Sequence, residues 1–258
     1  MNEALRKDAE HLLAEMKPFS SSAAPGQNLL PPDTRTDVEG PGFSTPVWRA
    51  GHGPASLFVH GWEDTNRVWR SFAMNFIQQG EPVVLMDLPG HGASRAETWT
   101  WIDAGDAVKS VCDAEAPLEA VIAHSFGCKA TVRAIELGAD VPAIVLIAPP
   151  LVTSGRGWEA RLQQKGIDQQ VIDATRALFL EQTGKDIDGP DMAGVLANYP
   201  GRVLFVGSEA DEECPLASIE DLAKRIPGAE LYGALDLSHR DLALAPEILA
   251  DIRNFLGR

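Results

Sequence analysis

The sequence predicts an α/β protein: a doubly wound, mostly parallel sheet with a helical cap insertion at about residues 150–200. Three observations predict it. Continuous apolar runs of strand length recur at Ser56–His60, Pro82–Asp87, Ala120–Ala123, Ala143–Ala148 and Arg202–Gly207. Runs that are unbroken rather than alternating suit a sheet covered on both faces. Helix-like segments at about 65–79, 100–114, 126–138, 216–226 and 241–256 alternate with them, which is the order of a doubly wound sheet. One interval, Pro149 to Pro200, is much longer than an ordinary crossover.

Taken in order, residues 2–17 read as an amphipathic helix, with Leu5, Ala9, Leu12 and Met16 at helical spacing. Residues 18–46 carry Pro18, Pro25, Pro31, Pro32, Pro41 and Pro46 and read as an irregular arm. A short strand at Val47–Ala50 follows. The expected organisation is therefore an N-terminal helix and arm over 1–46 and one α/β domain over 47–258. A sixth strand, Ala229–Leu235, has a weaker apolar signal. The long interval contains helix-like stretches at Trp158–Lys165 and Gln170–Gln182. An insertion that follows a strand's carboxyl end lies on the ligand-binding side of such a sheet, so it reads as a cap.

The chain has 258 residues, 45% apolar and 23% charged, a balance that fits a globular protein with a sizeable core. Its net charge of −15 and pI near 4.7 argue against nucleic acid and anionic membranes as partners. Cys112, Cys128 and Cys214 fit neither a disulfide framework nor a CxxC site, and their scarcity suggests a reducing compartment. Met1–Lys17 is charged throughout and does not read as a signal peptide. No apolar stretch of about 18 residues occurs. A cytoplasmic protein is the expectation. No His/Cys/Asp group has metal-ligand spacing, so neither a metal nor a cofactor is expected.

Ala123-His124-Ser125-Phe126-Gly127 follows a predicted strand and opens a predicted helix. Ser and Gly two apart arise by chance about once in such a chain, so the weight comes from the setting. A sharp strand–turn–helix bend holds a serine hydroxyl up at a helix N-terminus, and small neighbours let the backbone approach closely. A serine hydroxyl needs a base to become a nucleophile, and histidine has the ordinary pKa for that work. A carboxylate then fixes the imidazole tautomer.

Three further segments complete a set: His60-Gly61-Trp62, the turn Asp87-Leu88-Pro89-Gly90-His91-Gly92-Ala93-Ser94, and the late Leu237-Ser238-His239-Arg240. With the Ser125 pentapeptide they resemble the α/β-hydrolase family over roughly residues 47–258. The resemblance implies Ser125 as nucleophile, His239 as base and Asp211 as supporting acid, in the family's Ser–acid–His order. It also implies an oxyanion hole formed by the backbone N–H groups of Trp62 and Phe126. Two departures stand out. Ala123 replaces the usual glycine, and the acid loop Gly207–Pro215 is one residue longer than the common spacing. Asp211 fits the family's D-x-x-x-P, and Glu209 and Glu213 are the alternatives.

The resemblance implies cofactor-free cleavage of a small-molecule carboxylic ester or thioester through an acyl-enzyme. Serine at 125 sets the chain apart from the dehalogenase and epoxide-hydrolase branches, which use aspartate there. Carbon–carbon bond hydrolysis and slow-turnover ligand binding on the same fold stay open, as does a scaffold that dimerises through residues 1–46. The other histidines have plainer readings. His11 and His52 are surface residues, His60 and His91 structural, and His124 points away from the reaction. Trp62 contributes either its ring to the pocket or plain packing. Trp99 and Trp101 are core or pocket wall, and Cys128 is a structural thiol.

Overall fold

The structure is a computed structural model that describes residues 1–15, 30, 34–96, 100–151, 158–234 and 236–258. The chain divides into two compact units: Met1–Lys17 with Leu151–Asp191, and Pro18–Pro150 with Met192–Arg258.

The larger unit is built on a mostly parallel mixed sheet. Its strands are β1 (Arg35–Gly40), β2 (Phe43–Ala50), β3 (Ala55–Val59), β4 (Val83–Met86), β5 (Arg95–Ala96), β6 (Leu118–His124), β7 (Ala143–Ile147), β8 (Arg202–Ser208) and β9 (Glu230–Ala234). They lie in the order β1-β2-β4-β3-β6-β7-β8-β9, with β5 on β2. From β4 to β9 every pairing is parallel, and the pairings of β2 with β1, β4 and β5 are antiparallel. β3, β4 and β7 are buried along their whole length, which accounts for the unbroken apolar sequence of β4 and β7 and for that of β3 apart from Ser56. β9 is an edge strand with mostly exposed residues, so its apolar signal is weak.

The helices of this unit are α2 (Arg70–Gln78), α3 (Trp101–Ala114), α4 (Phe126–Glu136), α7 (Met192–Leu196), α8 (Leu216–Ala223) and α9 (Pro246–Leu256). Thr100 and Asp103 form a capping box that starts α3. Pro246 starts α9 at a position where its missing N–H costs nothing. Trp101 is buried in the core, while Trp99 lies outside the described residues. α7, expected within the insertion, belongs instead to this unit and packs on α4.

The expected arm needs correction at its end. Residues 18–29 and 31–33 lie outside the described residues, but 35–46, read as irregular, form β1 and the first half of β2. Pro41 and Gly42, the latter at φ +78°, make the hairpin turn between them, in the order a type II turn asks for. Pro46 is tolerated inside β2 because it falls where the partner changes, between Phe43–Ser44 on β5 and Val47–Ala50 on β4. Its carbonyl still accepts from Asp87 N at 3.2 Å.

The smaller unit comprises α1 (Glu3–Glu15), α5 (Trp158–Gln164) and α6 (Gln169–Thr183). Of the predicted stripe of α1, Ala9 is buried with Ala174 and Leu178 of α6, Leu5 packs beside them together with Leu13, Leu12 is buried, and Met16 lies outside the described residues. Arg176 pairs with Glu159, Asp186 and Asp188, and its guanidinium lies 5.4 Å from the Trp158 ring. Trp158 Nε1 donates to Asp188 Oδ1 at 2.6 Å. Cys112, Cys128 and Cys214 are buried free thiols. Among the described residues, no helix is long and apolar enough to cross a membrane.

Candidate active site

β6 ends at His124, and the chain turns abruptly into α4. Ser125 occupies that turn at φ +51°, ψ −122°. A side chain in the left-handed region is strained, and the surroundings hold it there. Ser125 N donates to Ile147 O of β7 at 2.9 Å, and Cys128 N donates to Ser125 O at 2.8 Å. Gly127 is required by close approach: a Cβ there would lie 2.5 Å from His60 O and 2.7 Å from Val59 O. The elbow is thereby pressed against the end of β3.

Ser125 Oγ lies 2.9 Å from His239 Nε2. His239 Nδ1 lies 2.8 Å from Asp211 Oδ2. A carboxylate only accepts, so Nδ1 carries the proton and Nε2 is the acceptor facing the serine hydroxyl. Asp211 is 2% exposed. Its other oxygen, Oδ1, accepts from Glu213 N at 2.8 Å and Cys214 N at 2.9 Å. Of the three carboxylates considered for this role, Asp211 is the one that faces His239, whereas Glu209 and Glu213 are exposed.

Trp62 and Phe126 stand beside the elbow with ring centroids 5.1 Å apart in an edge-to-face contact. Phe126 opens α4, whose first N–H groups have no acceptor within the helix. Glu63, which follows Trp62, has φ +58°, so the turn that presents Trp62 is itself strained.

A buried polar frame holds the Trp62 turn in place. His60 Nε2 accepts from Leu88 N at 3.0 Å, which puts the ring proton on Nδ1, 2.7 Å from Gly61 O. Asp87, 1% exposed, accepts from Asn66 N and Nδ2, both at 2.8 Å, and from Ala93 N at 2.9 Å. His91 donates through Nδ1 to Pro89 O at 2.9 Å and lays its ring edge-on against Trp62. Burial pushes His60 below its ordinary value and His91 down to about 4, so both rings are neutral frame members. Cys128 Sγ donates to the carbonyls of Ala123 and Ile147, and burial raises its pKa well above a thiol's usual range.

Sequence reasoning missed Ser208. Its fully buried Oγ accepts from Ala210 N and Leu237 N, each at 3.2 Å, and so ties the Asp211 loop to the His239 loop. Serine at a strand end gives no signal of such a role. Spacing also missed that ligand atoms of Asp211, Cys214 and His239 lie within 4.8 Å of one another. Two of those three groups are already hydrogen-bonded to each other.

Residues 57–252 match the model of the Alpha/beta hydrolase family. An epoxide hydrolase of Caballeronia sordidicola is 24% identical over 202 residues, covering 74% of this chain and 59% of that protein. The chain thus spans less than two thirds of that relative's length. An esterase of Pyrococcus furiosus superposes with a TM-score of 0.70 at 16% identity, over 94% of this chain and 98% of that one. An esterase of a Rhodococcus species gives 0.68 at 18% identity, over 87% and 98%. At these identities the likeness to the solved structures is one of fold. The family match, in contrast, runs through β3, the elbow and β8 and over well over half of the chain, and the chain belongs to the alpha/beta hydrolase family.

Proposed function

We propose that this hydrolase cleaves a carboxylic ester or thioester through an acyl-enzyme on Ser125. The observation that carries the reading is the continuous hydrogen-bond chain Ser125–His239–Asp211, at 2.9 and 2.8 Å. His239 Nε2 takes the hydroxyl proton as Oγ bonds to the carbonyl carbon. The oxyanion that forms accepts from the N–H groups of Phe126 and Trp62, each such donor being worth roughly 10²–10³ in rate. Collapse expels the alcohol or thiol, which receives the proton from His239. Water then attacks the acyl-enzyme with His239 again as base, releasing the acid and restoring Ser125. Asp211 keeps the proton on Nδ1 and stabilises the imidazolium.

Ester cleavage is also what the Pyrococcus and Rhodococcus proteins are named for. The epoxide-hydrolase relative favours a different chemistry. Epoxide opening in that branch starts from a carboxylate at the elbow, and position 125 here is serine. The insertion over 151–191 leaves the sheet after the carboxyl end of β7, where open α/β sheets bind ligands, and on that order we read it as the cap.

The test is intact-mass spectrometry after a fluorophosphonate probe, followed by rates on p-nitrophenyl esters of increasing chain length. One adduct mapped to Ser125, absent in Ser125→Ala, with turnover peaking at one chain length, is expected. A folded protein without an adduct at Ser125 would sink the reading and favour ligand binding. An adduct with turnover of a vinylogous diketone and none of esters would move the reaction to carbon–carbon cleavage.

A further inference from the structure

His124 precedes the nucleophile, and the reaction above makes no use of it. Its ring is 5% exposed and lies against the ring of His239, with centroids 4.8 Å apart. His124 Nε2 is 2.9 Å from the backbone carbonyl oxygen of His239. That oxygen can only accept, so Nε2 carries the proton and Nδ1 is bare. Among the described residues Nδ1 has no hydrogen-bond partner. It sits against Gly61, where a Cβ would lie 3.2 Å from Nδ1 and 3.1 Å from Ser125 Cβ. The imidazole is therefore wedged between the Trp62 turn and the His239 loop. Burial first, and the neighbouring His239 second, push its pKa down to about 4, so it stays a neutral donor.

We infer that His124 is a positioning residue for the base: its Nε2–H anchors the main chain of His239 while its ring backs the His239 imidazole. This rests on the reading of His239 as base. The contact with Asp211 fixes the imidazole at Nδ1, and the ring can pivot about that point. The anchor at the residue's own carbonyl supplies a second fixed point, so Nε2 stays within reach of Ser125 Oγ. A misplacement of about 1 Å can cost on the order of 10²-fold in rate.

The test compares His124→Phe, which keeps volume without a donor, with His124→Gln, which keeps an N–H of similar reach. Each is read by steady-state rates on a p-nitrophenyl ester. Each is also read by the downfield proton NMR resonance of the Asp211–His239 hydrogen bond in the resting protein. His124→Phe is expected to lose roughly 10–100-fold in kcat with KM within about twofold, and to broaden or shift the resonance. His124→Gln is expected to recover most of both. If circular dichroism shows His124→Phe unfolded, His124→Asn takes its place, since its amide is too short to reach the carbonyl. Wild-type kcat in the donor-free variant, or a Gln variant as slow as it with both folded, would overturn the inference. The resonance is read without substrate. A protein that cleaves no ester would remove the hydrolysis reading, and the spectra of the variants would still decide this one.

Discussion

Asp211 shows how much one residue's surroundings decide. Four acidic residues crowd the segment 208–215, and sequence alone chooses among them only by the proline at 215. The structure separates them by main-chain geometry. The short Asp211 side chain bends back to accept from the N–H groups two and three residues on, a turn that aspartate makes and the longer glutamate makes poorly. That bond orients the carboxylate, and Oδ2 is left facing His239. Asp211→Asn is therefore expected to fold, because the amide oxygen can take over the two N–H bonds. The amide nitrogen would then face His239 Nδ1 and force the proton onto Nε2, the wrong tautomer for a base. Turnover should fall by about 10⁴, with an unchanged thermal midpoint. Activity within about tenfold of wild type would show that another group supports the base. Ser125, by contrast, was legible from its setting, since strand, turn and helix all carry sequence signals. Its φ of +51° was not, because strain leaves no mark on composition.

At the scale of elements, the buried parallel strands were readable because both of their faces are covered and apolar residues fill most of their positions. β1 and β2 were not. Their prolines and glycines mark breaks in an ordinary strand, and only the change of partner at Pro46 makes the strand possible. Loops are less legible still, because their bonds run between distant segments. Ser208 joins two loops 27 residues apart, from Ala210 to Leu237, by accepting from both. Ser208→Ala leaves both N–H groups, which are part-buried, without that acceptor, at roughly 0.5–1.5 kcal/mol for each hydrogen bond lost. The denaturation midpoint should fall accordingly with an unchanged slope in denaturant. kcat should fall as well, because the His239 loop loses a tie. Ser208→Thr, which keeps the hydroxyl, should restore most of both. A midpoint and kcat equal to wild type in Ser208→Ala would mean that the two loops are held without this hydroxyl.

At the scale of the whole molecule, the partner of α1 was out of reach of sequence, because α1 packs on a helix more than 150 residues further along the chain. The acid response follows from histidines whose burial no motif marks. His60, His91 and His124 are buried in the unit that carries the sheet, and burial is the leading cause that lowers each. In the unfolded chain each titrates near 6.5, whereas in the folded protein His91 and His124 wait until about 4. Below 6.5 the unfolded state thus binds more protons, and stability falls as pH falls. The stability is complete above the unfolded value and is lost progressively towards the folded one, by up to about 1.4 kcal/mol per pH unit for each histidine. A competing effect comes from the net charge of −15, because protonation relieves self-repulsion. Free carboxyl groups in peptides titrate near 4, so between pH 6.5 and 5 the relief is expected to be small and the histidines to prevail. Scanning calorimetry from pH 8 to pH 5 should show a flat thermal midpoint down to about 6.5 and a steady decline below it. A midpoint that rises over the lower part of that range would mean that charge repulsion outweighs the buried histidines.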